Sequence, residues 1–201
     1  EKNIKNILAL RGDKPVDGKV IGEYNYAYEL VEQIKKNNDF GVAAACYPEG
    51  HLETESIDQD LEYLKQKVDS GVDYLISQMF FDNSLFYKFR RKAQKKGIDV
   101  PIEAGIMPVI NKKQVARIIE LSDAYFPAKF KKILNKYEDN PEALRDAGIA
   151  YAVEQIVDLI SSDVDGIHLY TMNNPYVARR IKEAVGSLIN HINGQEIQKV
   201  V

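Results

Sequence analysis

The sequence predicts an α/β fold: a (β/α)8 TIM barrel represented by its last five βα units, as one domain over residues 1–201. Three observations predict it. Five short, β-rich apolar runs recur along the chain. Stretches with helical spacing lie between and after them. The polar residues of chemical interest follow the ends of the apolar runs, which is where a barrel builds its active face.

The runs are NILAL (6–10), FGVAAACY (40–47), DYLISQMFF (73–81), IEAGIMPV (102–109) and DGIHLYTM (165–172). Each is nearly continuously apolar, as suits a parallel strand covered on both faces. Residues 25–37 carry Leu30, Val31 and Ile34 at helical spacing. Residues 56–70 carry Ile57, Leu61, Leu64 and Val68, and Gly71 is a natural stop. Residues 84–96 carry Leu85, Phe86, Phe89 and Ala93. Residues 112–121 follow Asn111, a good N-cap, with Val115, Ile118 and Ile119 on one side. Helices over 142–161 and 176–189 follow Asn140-Pro141 and Asn174-Pro175, each reading as an N-cap with proline at the first helical position.

Strands alternating with helices imply βαβ units and a parallel sheet. A doubly wound sheet is the main competitor, and its first strand-to-helix loop is expected to carry a glycine-rich phosphate fingerprint. That loop reads LRGDKPVDGKVIGEYNY, with no GxGxxG spacing. Five strands do not close an eight-stranded barrel, and the chain opens almost directly on a strand. The barrel reading therefore expects the first strands upstream; the other reading is an open sheet.

Composition sets outer bounds. The chain has 201 residues, 45% hydrophobic and 28% charged, ordinary for a globular domain with a substantial core. No apolar run approaches the ~20 residues that span a bilayer. The opening EKNIKNILAL lacks the pattern of a signal peptide. A single cysteine, Cys46, excludes an internal disulfide framework and a thiolate metal cluster, and fits a reducing, cytoplasmic compartment. A net charge of -3 makes no case for nucleic acid or an anionic membrane. The histidines show no metal-ligand spacing, so no metal is expected.

Four segments carry chemistry. In LALRGD (8–13), Gly12 between Arg11 and Asp13 lets the backbone approach a ligand closely. CYPEGH (46–51) sets a tyrosine, a carboxylate and a histidine in one short loop; Tyr47 can stack on a planar ligand and His51 can donate to a phosphate. On the following helix Asp60, Tyr63 and Lys67 share a face. Gln78 interrupts an apolar run, and a buried amide needs hydrogen-bond partners, whether from the core or from a polar heterocycle.

In this order and spacing, NILALRGD, Tyr26-Ala27, VAAxCYPEGH, DLEYLKQKVDSGVDYLISQMFFD, GIMPVxNxxQ and HLYTMNN resemble methylenetetrahydrofolate reductase, over about residues 4–190. The resemblance implies a barrel that binds FAD at its C-terminal face. NADH or NADPH reduces the flavin and departs; 5,10-methylenetetrahydrofolate replaces it and is reduced to 5-methyltetrahydrofolate. This is a step of one-carbon metabolism leading to methionine biosynthesis. The family is usually oligomeric, so a homo-oligomer is implied, and a partner electron carrier is an alternative reductant.

By motif, Leu10, Arg11 and Gly12 resemble FAD contacts through the loop backbone, and Asp13 the aspartate near both flavin and folate. Tyr26, Ala27, Tyr47 and His51 resemble further FAD contacts. Asp60 and Lys67 match positions on the helix facing the nucleotide part. Gln78 resembles the glutamine that meets folate and nicotinamide in turn, Gln114 a second folate contact, and Tyr170 an active-site tyrosine. Asp13 and Gln78 are the expected catalytic residues. The family's general acid is a glutamate ending the first strand, which has no counterpart here. Asn174 stands where many members have a folate-holding arginine, and Ile118 where some have phenylalanine. The alternative implied is a catalytically incomplete flavin- or folate-binding fragment or subunit.

Overall fold

The computed structural model describes residues 4–12, 22–37, 39–121 and 124–199. Their strands form one parallel sheet in chain order: β1 (Asn6–Ala9), β2 (Gly41–Cys46), β3 (Tyr74–Ser77), β4 (Ile102–Ile106) and β5 (Gly166–Leu169). The helices are α1 (Ala27–Asn37), α2 (Ile57–Asp69), α3 (Asn83–Lys95), α4 (Lys112–Leu121), α5 (Ala128–Tyr137), α6 (Pro141–Ser161) and α7 (Pro175–Lys199). Every expected strand and helix is present, and α5 is additional. By contact density the chain divides into two units, one of residues 1–78 and 88–103, the other of 79–87 and 104–201.

In the first unit β1, β2 and β3 pair in parallel, with Ala9 opposite Ala44 and Cys46 opposite Ser77. Val42, Ala43, Ala44 and Leu75 are fully buried, as the unbroken apolar runs require. α2 starts where Ser56 accepts the backbone N–H of Gln59 at 3.2 Å, and Leu61 and Leu64 turn its apolar stripe inward. It ends before Gly71, whose φ of +114° favours glycine. Lys92 and Lys96 on α3 pair with Asp58 and Glu62 on α2, both at 3.1 Å.

The second unit is held by an aromatic stack. Phe81 lies 4.9 Å from Phe126 and 4.8 Å from Phe130, and Phe130 lies 4.4 Å from Tyr151. This explains why the strand expected over 73–81 stops at Ser77: the chain leaves the ladder so that Met79 and Phe81 can enter that core. The Tyr151 hydroxyl fixes the departure by donating to the Phe81 carbonyl at 2.6 Å. Gly148 lets α6 reach the turn after β4; a Cβ there would stand 1.8 Å from the Val109 carbonyl oxygen. Asn140 and Asn174 cap α6 and α7 as expected, accepting from Ala143 at 3.1 Å and Val177 at 3.3 Å.

Candidate functional site

The parallel register of the first unit decides which loops meet. One residue past the strand ends, it sets Tyr47 and Gln78 in one row across β2 and β3. The row is tied at one point by the Gln78 backbone N–H, which donates to the Cys46 carbonyl at 2.7 Å. Two of the residues expected from the sequence, Tyr47 and Gln78, therefore stand together at the C-terminal edge of the sheet.

Arg11 crosses from the first loop to the second. Its two terminal nitrogens bond both carboxylate oxygens of Glu53, at 2.8 and 3.0 Å. That bonding is the main reason its guanidinium pKa is raised; Tyr47 and Tyr26 also lie close enough to act on its charge. Gly12 has φ +76°, and among the described residues nothing stands within 4 Å of where its Cβ would be. Leu10 and Tyr26 are more than half exposed, at 53% and 56%. Ala27 begins α1, and the Tyr26 and Tyr28 rings stack at 5.9 Å.

The second loop is folded on itself. The Gly50 N–H bonds the Tyr47 carbonyl at 3.0 Å, and Gly50 takes φ +90°. The His51 and Tyr47 rings meet edge to face at 4.6 Å. His51 Nδ1 accepts the Glu53 backbone N–H at 3.1 Å, so the ring proton sits on Nε2.

Beneath this loop Asp60 and Lys67 point inward. Lys67 Nζ donates to the Ala45 carbonyl at 2.9 Å. Asp60 is 7% exposed and accepts the His51 backbone N–H. Burial pushes its carboxyl up to about 6, against the opposing pull of Lys67 and the His51 N–H. Burial also lowers the Lys67 ammonium, partly offset by Cys46 and Asp60. Cys46, fully enclosed beside them, has its thiol pKa raised by the same burial. The two residues expected on the nucleotide-facing side of the helix thus brace the loop from below.

In the second unit, Gln114 closes the turn between β4 and α4. Its Oε1 accepts the Ile110 N–H at 3.0 Å and its Nε2 donates to the Pro108 carbonyl at 3.2 Å. One amide proton and one lone pair remain beyond those two bonds. Tyr170 follows β5, its N–H bonded to the Ile106 carbonyl at 2.9 Å and its ring 4.7 Å from that of His168. The loop after it makes a type I′ turn: Met172 and Asn173 have φ of +49° and +57°, closed by the Asn174 N–H to Thr171 carbonyl bond at 3.0 Å. Asp13 lies outside the described residues. Glu53 was not anticipated; its only sequence signal is its place two residues after His51.

A family model described as methylenetetrahydrofolate reductase matches residues 1–186. The chain belongs to the methylenetetrahydrofolate reductase family. Among similar proteins, the Arabidopsis thaliana methylenetetrahydrofolate reductase (NADH) 1 is 36% identical over 202 residues, covering 93% of this chain and 33% of the relative. The Escherichia coli 5,10-methylenetetrahydrofolate reductase is 35% identical over 184 residues, covering 91% of this chain and 61% of the relative. The chain therefore spans about a third of the plant member and three fifths of the bacterial one. A solved structure from Clostridium thermocellum, described as an uncharacterized protein that binds two copies of 5-methyl-5,6,7,8-tetrahydrofolic acid, shares the fold. Its TM-score is 0.57 at 15% identity, over 81% of this chain and 58% of that one.

Proposed function

We propose that this chain is the flavin-holding part of an FAD-dependent methylenetetrahydrofolate reductase, reducing 5,10-methylenetetrahydrofolate to 5-methyltetrahydrofolate with NADH or NADPH as electron source. The observation that carries the reading is Tyr47 beside Gln78 at one sheet edge, with the Arg11–Glu53 pair joining the loops after β1 and β2, within a chain that belongs to this family. On this reading the sheet is part of one (β/α)8 barrel domain that includes residues 1–201. The enzyme works as a cytoplasmic homo-oligomer. Among the described residues no helix is long and apolar enough to cross a membrane.

The residues fit a flavin. Gly12, with no Cβ and φ +76°, lets a ring system approach the backbone of residues 10–12 closely. Tyr26 offers an exposed ring for stacking. His51 Nε2–H is a donor suited to a diphosphate oxygen. Leu10, Arg11, Gly12, Tyr26, Ala27, Tyr47, His51 and Tyr170 would hold FAD, and Asp60 and Lys67 would shape its bed. When bound, FAD supplies the hydride. Asp13, Gln78 and Gln114 would hold the folate. The Asp13 carboxylate stabilises the iminium cation formed as the folate's five-membered ring opens. Gln78, exposed at the strand end, orients the pterin by its amide.

The test is a flavin absorption spectrum on the purified full chain, its bleaching by NADH, and formation of 5-methyltetrahydrofolate. Asp13→Asn should slow folate reduction by about 2–4 kcal/mol of barrier and leave bleaching by NADH intact. Unchanged folate turnover in that variant refutes the role of Asp13. A second reading, a catalytically incomplete flavin- or folate-binding piece, is supported by the solved neighbour described as binding 5-methyl-5,6,7,8-tetrahydrofolic acid. It predicts flavin binding without turnover.

A further inference from the structure

The side chain of Arg11, in the loop after β1, is committed to Glu53. A cation in a flavin bed invites assignment as a ligand of the cofactor's diphosphate. The geometry opposes that. The guanidinium fork meets the Glu53 carboxylate face to face through two bonds, at 2.8 and 3.0 Å. Such bidentate pairs are strong and directional. Its Nε adds a long bond to the Gly12 carbonyl at 3.4 Å. Glu53 also places a negative charge where an anion receptor needs positive potential. Arg11 keeps only 25% of its side chain exposed, so the pair is partly shielded from solvent.

What the pair does join is clear from the chain. Arg11 stands between Leu10 and Gly12, the backbone proposed to lie against the flavin. Glu53 stands two residues after His51, and its own N–H fixes His51 Nδ1 at 3.1 Å. One ion pair therefore couples the β1 loop to the loop that orients the histidine, across 42 residues of sequence.

We infer that Arg11 and Glu53 are positioning residues: a strut that holds the two flavin-bed loops in register, with Glu53 setting the His51 tautomer and neither side chain serving as the anion ligand. The inference rests on the flavin reading above. It makes Glu53, unassigned until now, as important for flavin affinity as Arg11.

The two roles give opposite signs for one substitution. If Arg11 bound the diphosphate, Glu53→Gln would remove a repelling charge, release the guanidinium and tighten FAD. If the pair is a strut, Glu53→Gln weakens FAD by about tenfold, the scale of one good ion pair. Arg11→Lys weakens it comparably, because an ammonium cannot reproduce the fork. The charge-swapped pair Arg11→Glu with Glu53→Arg restores affinity to within about threefold of the parent. FAD affinity is read by flavin fluorescence on the full chain, with unfolding midpoints taken in parallel. Amide exchange at residues 49–55 without flavin reads the strut alone: Glu53→Gln should speed it, even in a chain that binds no FAD. Tighter or unchanged FAD binding in Glu53→Gln overturns the strut, and so does unchanged exchange in that loop. Absence of FAD binding by the parent chain, with faster exchange in Glu53→Gln, overturns the flavin reading and leaves the strut standing.

Discussion

Removing the Lys67 ammonium tests the buried polar pair under the second loop, and its size can be worked from the structure. Lys67→Met keeps the stem and loses the charge, so the Ala45 carbonyl loses its 2.9 Å donor. A buried acceptor left without its donor costs about 1–3 kcal/mol at any pH. The second effect depends on pH. Asp60 is already raised by burial to about 6, above the ~4 of an unfolded aspartate. Because the folded value is the higher one, Asp60 contributes stability at low pH that is lost as pH rises from about 4 to about 6. Lys67 opposes the rise, so its removal lifts the folded value further. Each added unit costs about 1.4 kcal/mol once the solution pH exceeds it, to a ceiling of about 3 kcal/mol at pH 8. Urea unfolding at pH 5 and pH 8 measures both parts. Lys67→Met should lose about 1–3 kcal/mol at pH 5 and distinctly more at pH 8. Adding Asp60→Asn, which keeps the acceptor for the His51 N–H, should abolish the pH 8 excess. An equal loss at both pH values, or a double variant as weak as the single one at pH 8, refutes the coupling.

Two more predictions follow from the second unit. Gly148→Ala should destabilise by at least about 3 kcal/mol, because its Cβ meets backbone and α6 or the β4–α4 turn must move; a thermal unfolding midpoint within error of the parent contradicts the packing. Tyr151→Phe keeps the ring against Phe130 but leaves the Phe81 carbonyl without its 2.6 Å donor; a loss of about 1–3 kcal/mol in urea unfolding is expected, and no loss would mean that carbonyl finds another partner.

The strands were legible because parallel strands covered on both faces write themselves as apolar runs, and the capped helices because Asn140-Pro141 and Asn174-Pro175 mark their starts. Helix α5 was not read, although Phe130, Leu134 and Tyr137 recur at helical spacing; it has no side-chain cap, since Pro127 occupies that position. The run at 73–81 was read too long because apolar character does not tell a strand from a segment buried in an aromatic stack. That Tyr47 and Gln78 follow strand ends was legible for the same reason as the strands. What could not be read was where side chains turn. Gln114 bonds the Ile110 N–H and the Pro108 carbonyl, and Lys67 the Ala45 carbonyl, contacts that residue type and spacing do not report. Glu53 owes its role to a partner 42 residues away, which no local pattern reports.

These assignments separate two layers of the candidate site. The upper layer is backbone and ring: residues 10–12, Tyr26, Tyr47 and the His51 Nε2–H. The lower layer is ionic: Arg11 with Glu53, and Asp60 with Lys67 beside Cys46. Arg11 and Glu53 bond each other, while Asp60 and Lys67 bond the backbone of His51 and Ala45, so these charges shape the bed from below. That division suits a hydride-transfer site. A net cation against the ring system would stabilise its reduced anionic form and weaken it as a donor, whereas paired charges leave that balance to whichever carboxylate stands nearest. On the proposed reading that carboxylate is Asp13. Loss of the lower layer should therefore appear in flavin affinity and loop order, and loss of Asp13 in the rate of folate reduction.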